Sequence, residues 1–403
     1  MQLKNIFSKN YFSYGIVLAI ALRIICCFIS PYFSSDIVRF VWDGKLFLHG
    51  VNPFIYIPSY LVDNTHSVQA GVNYAFFSLL NSPNNYTHYG PFLQYIFTFC
   101  NRIFGMNMQQ EIIFLRLLIA IAELGSVFIM LKILRLFEIA EKNIFWYLLN
   151  PLVIFELYTN VHVEIIPVFF LMAAIYFLLR EKIFLSALLL AFAASCDLIY
   201  LMPLLFILPK LDFKRIFFYL VSCLAFLTIL FLPFLMDGKL IHLLISNATG
   251  YFATPEFNSV LFIITNSIET LLIKEILSYQ TGLLLFEIAT LALVFYAFNV
   301  EGKSPITLVK NIFFGFVICL VLSSAIKPAD FILLLALSVF IPFRFVFVWS
   351  VFALFTYVSY LYYPPHDNFI LLILEYISVS ALFIYEWKKD CQKNNFSEQV
   401  SSN

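Results

Sequence analysis

Apolar residues dominate this chain in long runs that short polar breaks separate. The first run, residues 11–30, is long enough to cross a bilayer. Later runs of similar character cover roughly residues 112–134, 144–160, 163–180, 183–208, 214–236, 259–277, 281–298, 306–326, 328–343, 346–363 and 368–386. This pattern predicts an all-α, polytopic integral membrane protein with about 10–13 membrane helices.

The longest polar stretch, residues 31–88, follows the first run and begins with a short amphipathic segment. On a helical wheel Asp36, Arg39 and Asp43 share one narrow arc, while Trp42 lies on the apolar arc. An amphipathic helix of this kind is typical of a membrane interface. We therefore predict an interfacial helix in this stretch, with its polar arc facing water.

Basic residues set the expected orientation. Lys4 and Lys9 precede the first run, and clusters of Lys and Arg separate many of the later runs. The positive-inside rule puts these charges in the cytoplasm and residues 31–88 in the first extracytoplasmic loop. We predict one polytopic domain over residues 1–389 and a polar cytoplasmic tail over residues 390–403. Arg23 interrupts the first run, and we expect it to snorkel, although pairing with a carboxylate is an alternative.

Composition supports the membrane class and excludes several functions. Hydrophobic residues make up 62% of the 403 positions and charged residues only 12%, and the mean hydropathy is +0.91. Lys plus Arg equals Asp plus Glu at 24 each, so no basic excess predicts a nucleic-acid partner. The seven cysteines have no C-x-x-C spacing, which predicts neither a disulfide framework nor a zinc site. Neither G-x-G-x-x-G nor a P-loop occurs.

Several short motifs follow one another in a recognisable order. They are Asp-Ile-x-Arg-x-x-Trp-Asp-Gly-Lys at 36–45, Gly-x-Asn-Pro-Phe at 50–54, Tyr-x-Pro-Phe at 89–92, Asn-Pro-Leu at 150–152 followed by Glu156, Asn-x-His-x-Glu at 160–164, and the block at 251–258. Together they resemble the bacterial polytopic mannosyltransferase-like proteins of the GT-C glycosyltransferase class. GPI mannosyltransferase I is a more distant relative.

The resemblance implies a GT-C-like fold in the bacterial inner membrane and a sugar transfer on its outer face. The donor would be a polyprenyl-phosphate sugar, the acceptor a hydroxyl of a lipid, glycan or protein, and the surroundings membrane lipids. The family's catalytic carboxylate in the first outer loop maps onto Asp36. Some relatives carry Asp-x-Asp where this chain has Ser34-Ser35-Asp36. The single carboxylate does not support a divalent-metal site, so we expect no cofactor.

The chemistry needs a base for the acceptor proton and cationic groups for the departing phosphate. Asp36 is the predicted general base. Arg39 is the first candidate for the phosphate because its planar guanidinium matches phosphate oxygens, and an intrahelical pair with Asp43 or Asp36 is the alternative. Asp43 and Lys45 either support the site or are simply solvated. Trp42 either contacts the sugar or anchors the helix at the interface.

Further candidates lie in later polar breaks. His88 and its neighbour Tyr89 are predicted to contact phosphate or sugar, although a lone loop histidine is often a bystander. His162 either contacts the acceptor or sugar hydroxyls, oriented by Glu164, or the two form a mutual hydrogen bond that only tightens a hairpin. Lys327 and Asp330 are expected to pair, with a phosphate role for Lys327 as the alternative, and Asp197 to pair with a buried Arg or Tyr.

The sequence leaves two alternative functions open. A transporter or a flippase of lipid-linked glycans should show broken helices in corresponding halves and charges near the midplane. The chain has no repeat that we detect, and its polar residues collect toward one face. A catalytically inactive scaffold subunit is the second alternative, because only one carboxylate stands at the start of the motif.

Overall fold

The computed structural model describes residues 2–31, 34, 36–62, 71–105, 107–235, 258–273, 278–300, 304–361 and 367–402. Within these residues every regular element is helical and no strand occurs. The predicted all-α class is therefore confirmed for this part of the chain. Most of the motif block at 251–258 lies outside the described residues, as does Ser35.

The α-helices, numbered here along the chain, are α1 (Gln2–Cys27), α2 (Asp36–Leu48), α3 (Pro58–Val62), α4 (Tyr74–Phe77), α5 (Pro91–Phe104), α6 (Met108–Leu136), α7 (Phe145–Leu148), α8 (Pro151–Ile154), α9 (Ile165–Leu179), α10 (Ile183–Cys196), α11 (Leu204–Ile207), α12 (Phe213–Leu235), α13 (Val260–Ile273), α14 (Ser278–Asn299), α15 (Pro305–Val321), α16 (Phe331–Ser338), α17 (Phe345–Phe355) and α18 (Phe369–Ser402). Shorter helical turns are Glu141–Ile144, Leu198–Leu201, Leu208–Lys210, Pro328–Asp330 and Thr356–Leu361, and Phe155–Thr159 is a π-helix.

Four described helices are long and apolar enough to cross a membrane, judged by length and composition. They contain the segments Met108–Leu136, Phe213–Leu235, Gln280–Asn299 and Phe369–Gln392. Eight shorter apolar helices of 10–17 residues accompany them. Their outward side chains are largely apolar, as expected for contact with lipid. These features support membrane association, and the total of 10–13 membrane helices stays a prediction.

Helix α2 is the predicted amphipathic helix, but both of its arcs are covered by protein. It packs along α5, where the rings of Phe40 and Phe97 stack with their centroids 4.5 Å apart. A Cβ at Gly44 would lie 2.4 Å from the Phe97 carbonyl oxygen, so only glycine permits this approach. Nine of the thirteen residues of α2 are buried, including Arg39 and Asp43. The helix is therefore held rigidly against the bundle.

Arg23 does not snorkel, and that prediction is wrong. Its guanidinium is buried and forms a two-pronged ion pair with Glu123 of α6, with N···O distances of 2.8 and 2.6 Å. It also donates to the backbone carbonyls of Ala19 and Leu148. The Tyr158 hydroxyl donates to the same Glu123 carboxylate at 2.6 Å. Because every nitrogen of the guanidinium donates to an acceptor inside the protein, the side chain does not extend to the water layer.

The basic clusters gather at one end of the bundle. Lys132 of α6 lies over the Tyr176 ring near the end of α9, Arg215 lies 3.9 Å from Glu181, and Lys310 pairs with Asp390. The opposite end of α9, about 20 Å away by helix rise, begins just after residues 160–164. The polar motifs predicted from the sequence therefore lie at the other end from the basic clusters.

Candidate active site

An open cleft of about 1010 Å³, counting the solvent at its mouth, lies at the end of the bundle that holds the polar motifs. Its charged and titratable lining residues stand at helix ends or between helices: Asp36, His88, Tyr89, His162, Glu164, Cys196, Asp197, Tyr200, Cys319, Lys327 and Asp330. Much of its apolar lining comes from α5, α15 and α16: Leu93, Phe316, Leu320, Leu333 and Leu334. The cleft is therefore suited to a ligand with one polar and one apolar part.

Asp36 begins α2, and its carboxylate faces this cleft. The Ser34 hydroxyl accepts a hydrogen bond from the Asp36 backbone N–H at 3.2 Å, which satisfies one free donor at the start of the helix. The carboxylate oxygen Oδ1 accepts from Asn81 Nδ2 at 2.8 Å, and Oδ2 accepts from the Tyr89 hydroxyl at 3.3 Å. His162 Nε2 lies 3.4 Å from Oδ2. Donors from three separate segments thus fix the orientation of this carboxylate.

The surroundings of Asp36 keep it ionised. Burial by itself would raise the pKa of the carboxyl group. The positive charge of His162, the Asn81 hydrogen bond and the charge of Lys327 outweigh burial and lower the pKa below its ordinary value. At neutral pH Asp36 is therefore a carboxylate, which is the form that can accept a proton.

His162 follows an irregular stretch of backbone. The π-helix Phe155–Thr159 precedes it, and Val161 has a φ of +63°, which is rare for a β-branched residue. Such a conformation costs on the order of 1–3 kcal/mol and is found mainly at functional positions. The strained turn points the imidazole at both Ser34, 3.0 Å from Nε2, and Glu156, 3.0 Å from Nδ1.

His162 is charged in this setting. Burial would lower the pKa of its imidazole, but the neighbouring carboxylates of Glu156, Glu164 and Asp36 raise the pKa to about 10. Its two ring nitrogens then both carry protons at neutral pH. The cleft consequently holds a fixed positive charge beside the Asp36 carboxylate.

Glu164 lines the cleft two residues further on. Its Oε2 atom is buried and has no hydrogen-bond partner within the described residues. Burial raises the pKa of Glu164 to about 7, although the positive charge of His162 opposes the shift. The mutual hydrogen bond that was one alternative for His162 and Glu164 is not formed, because the imidazole turns toward Glu156 instead.

His88 and Tyr89 stand on the segment before α5. Their rings pack with centroids 4.1 Å apart. Burial and the charge of Lys327 hold the pKa of His88 well below its ordinary value, while burial raises the pKa of Tyr89 well above its own. The rings of His88 and Tyr89 are thus both neutral hydrogen-bonding groups. The next residue, Gly90, donates its N–H to the Cys196 carbonyl at 2.7 Å.

Gly90 fixes this segment against the end of α10. A Cβ at this position would lie 2.3 Å from the Ser195 carbonyl oxygen, so a larger residue would push the two segments apart. The close approach brings the 88–90 segment next to Asp197, whose side chain accepts from the Ile199 N–H at 3.1 Å and caps the following turn. A backbone donor is thus one partner of Asp197, where the sequence suggested an Arg or Tyr.

Arg39 and Asp43 lie behind the cleft. The alternative given by the sequence, an intrahelical pair, is what forms: Arg39 Nε lies 2.9 Å from Asp43 Oδ1, and both side chains are buried. Arg39 also donates to the carbonyls of Ser82 and Asn85. Gln94 Nε2 donates to Asp43 at 3.3 Å. The pair therefore braces the turn at residues 82–85, and neither side chain lines the cleft.

Trp42 and Lys45 also lie outside the cleft lining. Trp42 is fully buried and stacks on Phe76, with the ring centroids 6.1 Å apart. Lys45 stands in the last turn of α2 and is half-buried near Gly71. Of the nine residues predicted for the site, the cleft brings together Asp36, His88, Tyr89, His162 and Glu164.

Sequence reasoning assigned no site role to Glu156 and Asn81, and it missed Tyr357 altogether. Glu156 is fully buried and accepts from the Tyr357 hydroxyl at 2.9 and 3.0 Å. Glu156 was visible only as part of the motif after Asn150-Pro151-Leu152. Tyr357 stands 201 residues away in a run of aromatic residues, so no local signal marks it.

Lys327 also lines the cleft, although it lies far along the chain from Asp36 and His162. The backbone N–H of Lys327 donates to Asp330 Oδ2 at 2.8 Å, so Asp330 caps the turn rather than forming a side-chain ion pair. Among the described residues no carboxylate lies within ion-pair distance of the Lys327 ammonium. The described residues also contain no group of three or more His, Cys, Asp and Glu side chains arranged to hold a metal ion.

Residues 17–211 match the family model described as alpha-(1→6)-mannopyranosyltransferase, N-terminal domain. The matched span includes Asp36, His88, His162 and Glu164 but ends before Lys327. The resemblance to mannosyltransferase-like proteins is therefore confirmed over this span. No curated protein sequence matches the chain.

Proposed function

With a mannosyltransferase-family domain across residues 17–211 as the premise, we propose that this protein moves a sugar from a polyprenyl-phosphate donor to a hydroxyl of a lipid, glycan or protein acceptor. Mannose is the first candidate for the sugar. The reaction would take place on the extracytoplasmic face of the bacterial inner membrane, in a GT-C-like fold. The observation that carries the proposal is an oriented, ionised Asp36 in a cleft with both polar and apolar lining.

In the proposed step Asp36 acts as general base. Its carboxylate takes the proton of the acceptor hydroxyl while the acceptor oxygen forms a bond to the anomeric carbon of the donor sugar. The bond between that carbon and the phosphate oxygen breaks, and its electron pair leaves with the polyprenyl phosphate. Asp36 then returns its proton to water. Because the base must be ionised before each turnover, the lowered pKa of Asp36 suits this role.

Lys327 is the best candidate to hold the departing phosphate. Lys327 lines the cleft, and its ammonium forms no ion pair with a described carboxylate. A compact positive charge stabilises the negative charge that develops on the leaving phosphate. Arg39, the candidate from the sequence, is instead paired with Asp43 behind the cleft. His88 lies on the same cleft and adds a neutral hydrogen-bonding group for the phosphate or the sugar.

Other lining groups fit the remaining parts of the donor. Glu164 and Tyr89 offer hydrogen bonds to sugar hydroxyls, and the protonated fraction of Glu164, whose pKa is about 7, can both donate and accept. Leu93, Phe316 and Leu333 lie among the apolar lining residues and suit the first isoprene units of the carrier. The rest of the carrier lipid can stay in the bilayer while its sugar, phosphate and first isoprene units occupy this cleft.

The test is sugar transfer by purified protein in proteoliposomes that receive several radiolabelled polyprenyl-phosphate sugars. We expect wild-type protein to attach the sugar covalently to an acceptor with at least one donor, and Asp36→Asn to lose about 100-fold or more of the rate. Asp212→Asn is the matched control, because Asp212 is exposed at the basic end of the bundle. Its rate should equal that of the wild type.

Each alternative function gives a different outcome. Full transfer by a correctly inserted Asp36→Asn protein would contradict the assignment of the base. If the wild type transfers none of the sugars but moves a fluorescent lipid-linked glycan across the bilayer, the protein is a flippase. If it does neither, the scaffold alternative is favoured.

A further inference from the structure

Glu156 lies directly behind the cleft and does not line it. The side chain is fully buried on the π-helix Phe155–Thr159. Its two oxygens accept from the Tyr357 hydroxyl at 2.9 and 3.0 Å and face Asn160 Nδ2 at 3.3 and 3.4 Å. The donors Tyr357 and Asn160 hold this buried carboxyl group in a fixed position.

His162 joins this buried carboxyl group to the Asp36 carboxylate. Its Nδ1 atom lies 3.0 Å from Glu156 Oε2, and its Nε2 atom lies 3.4 Å from Asp36 Oδ2. The His162 side chain is 8% exposed. The Nδ1 atom is not aligned for a hydrogen bond to Glu156, and Nε2 shares a hydrogen bond with the Ser34 hydroxyl at 3.0 Å, so the imidazolium is linked to both carboxylates by charge and close contact. The three side chains thus form a continuous line from the protein interior to the cleft.

The backbone is shaped to make this line. On a regular α-helix two residues six positions apart point about 120° away from each other. The π-helix and the positive φ of Val161 bring Glu156 and His162 face to face, and the His162 backbone N–H donates to the Glu156 carbonyl at 3.0 Å. Backbone strain that positions the imidazole against both Ser34 and Glu156 points to a functional role for these contacts.

We propose that Glu156 is a positioning residue for sugar transfer: from inside the protein it orients His162 and holds the positive charge of the imidazolium against Asp36. Glu156 touches neither donor nor acceptor and acts only through His162. The inference rests on the proposed function, because it takes Asp36 as the base. It assigns Glu156 a role that the family resemblance did not give it.

Removing the charge of Glu156 should break the electrostatic coupling between His162 and Asp36. In Glu156→Gln the side-chain size is kept, but the negative charge that holds the proton on His162 is lost. The imidazole then becomes neutral near neutral pH, and Asp36 loses its adjacent cation. The other charged and titratable groups that face this line stay in place: His88, Tyr89, Glu164, Lys327 and Asp330. Asp36 would therefore need a higher pH to ionise.

The first measurement is the pH dependence of kcat/KM for sugar transfer. We expect the acid limb of the Glu156→Gln profile to shift to higher pH by at least one unit, which lowers the rate on that limb about tenfold. Tyr357→Phe, which keeps the charge and removes one donor to Glu156, should shift the limb less in the same direction. A slower Glu156→Gln enzyme with an unshifted acid limb, or an unshifted limb in both variants, would show a packing role and overturn the proposal.

The second measurement does not depend on sugar transfer. Ring ¹⁵N NMR of histidine-labelled protein, with His162→Gln to assign the signal, reports whether His162 is an imidazolium. We expect an imidazolium at neutral pH in the wild type and a neutral ring in Glu156→Gln. A neutral wild-type ring, or an unchanged imidazolium in the variant, would overturn the coupling. If the coupling is found but no donor is used, the proposed function fails and the geometric inference stands.

Discussion

At the scale of single residues, two of the carboxyl groups on the cleft, Asp36 and Glu164, have opposite pKa shifts. Asp36 accepts hydrogen bonds from Asn81 and Tyr89 and faces a cation, so its pKa is lowered. Glu164 is also half-buried, but its buried Oε2 atom has no hydrogen-bond partner among the described residues, and desolvation raises the pKa of Glu164 to about 7. Different surroundings thus shift the pKa values of two similar side chains in opposite directions.

The raised pKa of Glu164 predicts that this residue costs stability at high pH. Burial raises the pKa from 4.5 to about 7, so the folded state binds the proton more tightly than the unfolded state. Stability should therefore fall as the pH rises from about 4.5 through 7. Glu164→Gln removes this titration and should be more stable than the wild type at pH 8, by roughly 2–3 kcal/mol, and nearly equal to it at pH 4.

Thermal unfolding in detergent at the two pH values checks this prediction. Glu181→Gln is the control, because the Glu181 side chain is 78% exposed and should give the same small difference at both. A Glu164→Gln protein whose melting temperature differs from the wild type equally at pH 4 and pH 8 would contradict it. Stabilisation by removal of this carboxyl would be consistent with a site residue kept for function rather than stability.

Residue roles divide clearly into those visible in the sequence and those that were not. Asp36 stood out because it is a carboxylate in a polar motif within a largely apolar chain. Arg39 stood out for the same reason, yet its guanidinium turns toward Asp43 and the 82–85 turn. Which way a side chain on a helix turns depends on the partner that packs against it. The sequence of α2 does not contain that partner.

At the scale of elements, one buried ion pair joins α1 to α6. Arg23 and Glu123 pair at 2.6 Å, and Tyr158 of the π-helix donates to the same carboxylate. The pair therefore connects the first helix to the segment that carries Glu156 and leads to His162. The Arg23–Glu123 pair therefore affects the site indirectly, because it fixes the position of the segment that carries Glu156.

Breaking this pair should destabilise the protein strongly. Glu123→Gln leaves the Arg23 charge buried without its anion, and we expect a loss of about 3–5 kcal/mol in the free energy of unfolding. The double variant Arg23→Met/Glu123→Met leaves no unpaired charge and should lose less. Denaturant titration in detergent, followed by tryptophan fluorescence, measures both effects.

The exposed pair of Arg135 and Glu141 supplies the comparison. Its N···O distance of 2.8 Å is as short as that of a buried pair, but its side chains are 63% and 40% exposed. Because water screens such a pair, Glu141→Gln should unfold at the same denaturant concentration as the wild type. Equal midpoints for Glu123→Gln and Glu141→Gln would contradict the role given to the buried pair.

At the scale of the whole molecule, charge is sorted between two ends. The basic clusters meet around Lys132, Arg215 and Lys310, and the cleft lies at the opposite end of α9. The positive-inside rule, applied to the sequence, predicts that the basic end is cytoplasmic. The cleft would then open on the outer face, where the proposed donor presents its sugar.

Cysteine labelling of the two ends tests this orientation. In a variant that keeps only the exposed native Cys391, a membrane-impermeant maleimide should react only after the membrane is permeabilised. In a cysteine-free variant carrying Asn84→Cys, at an exposed turn near the cleft, the reagent should react in intact spheroplasts. The reverse pattern would put the cleft in the cytoplasm and exclude an extracytoplasmic donor site.

The sequence by itself determined the all-helical class, the apolar character that supports membrane association, the resemblance to mannosyltransferases and the prominence of Asp36. These depend on composition, periodicity and short motifs, which are local properties of the chain. Tertiary structure alone decided that Tyr357 would support Glu156, that Lys327 would face Asp36 across one cleft, and that Arg23 would pair inside the protein. Those outcomes depend on contacts between residues 100 or more positions apart. Packing creates such contacts, and no local pattern encodes them.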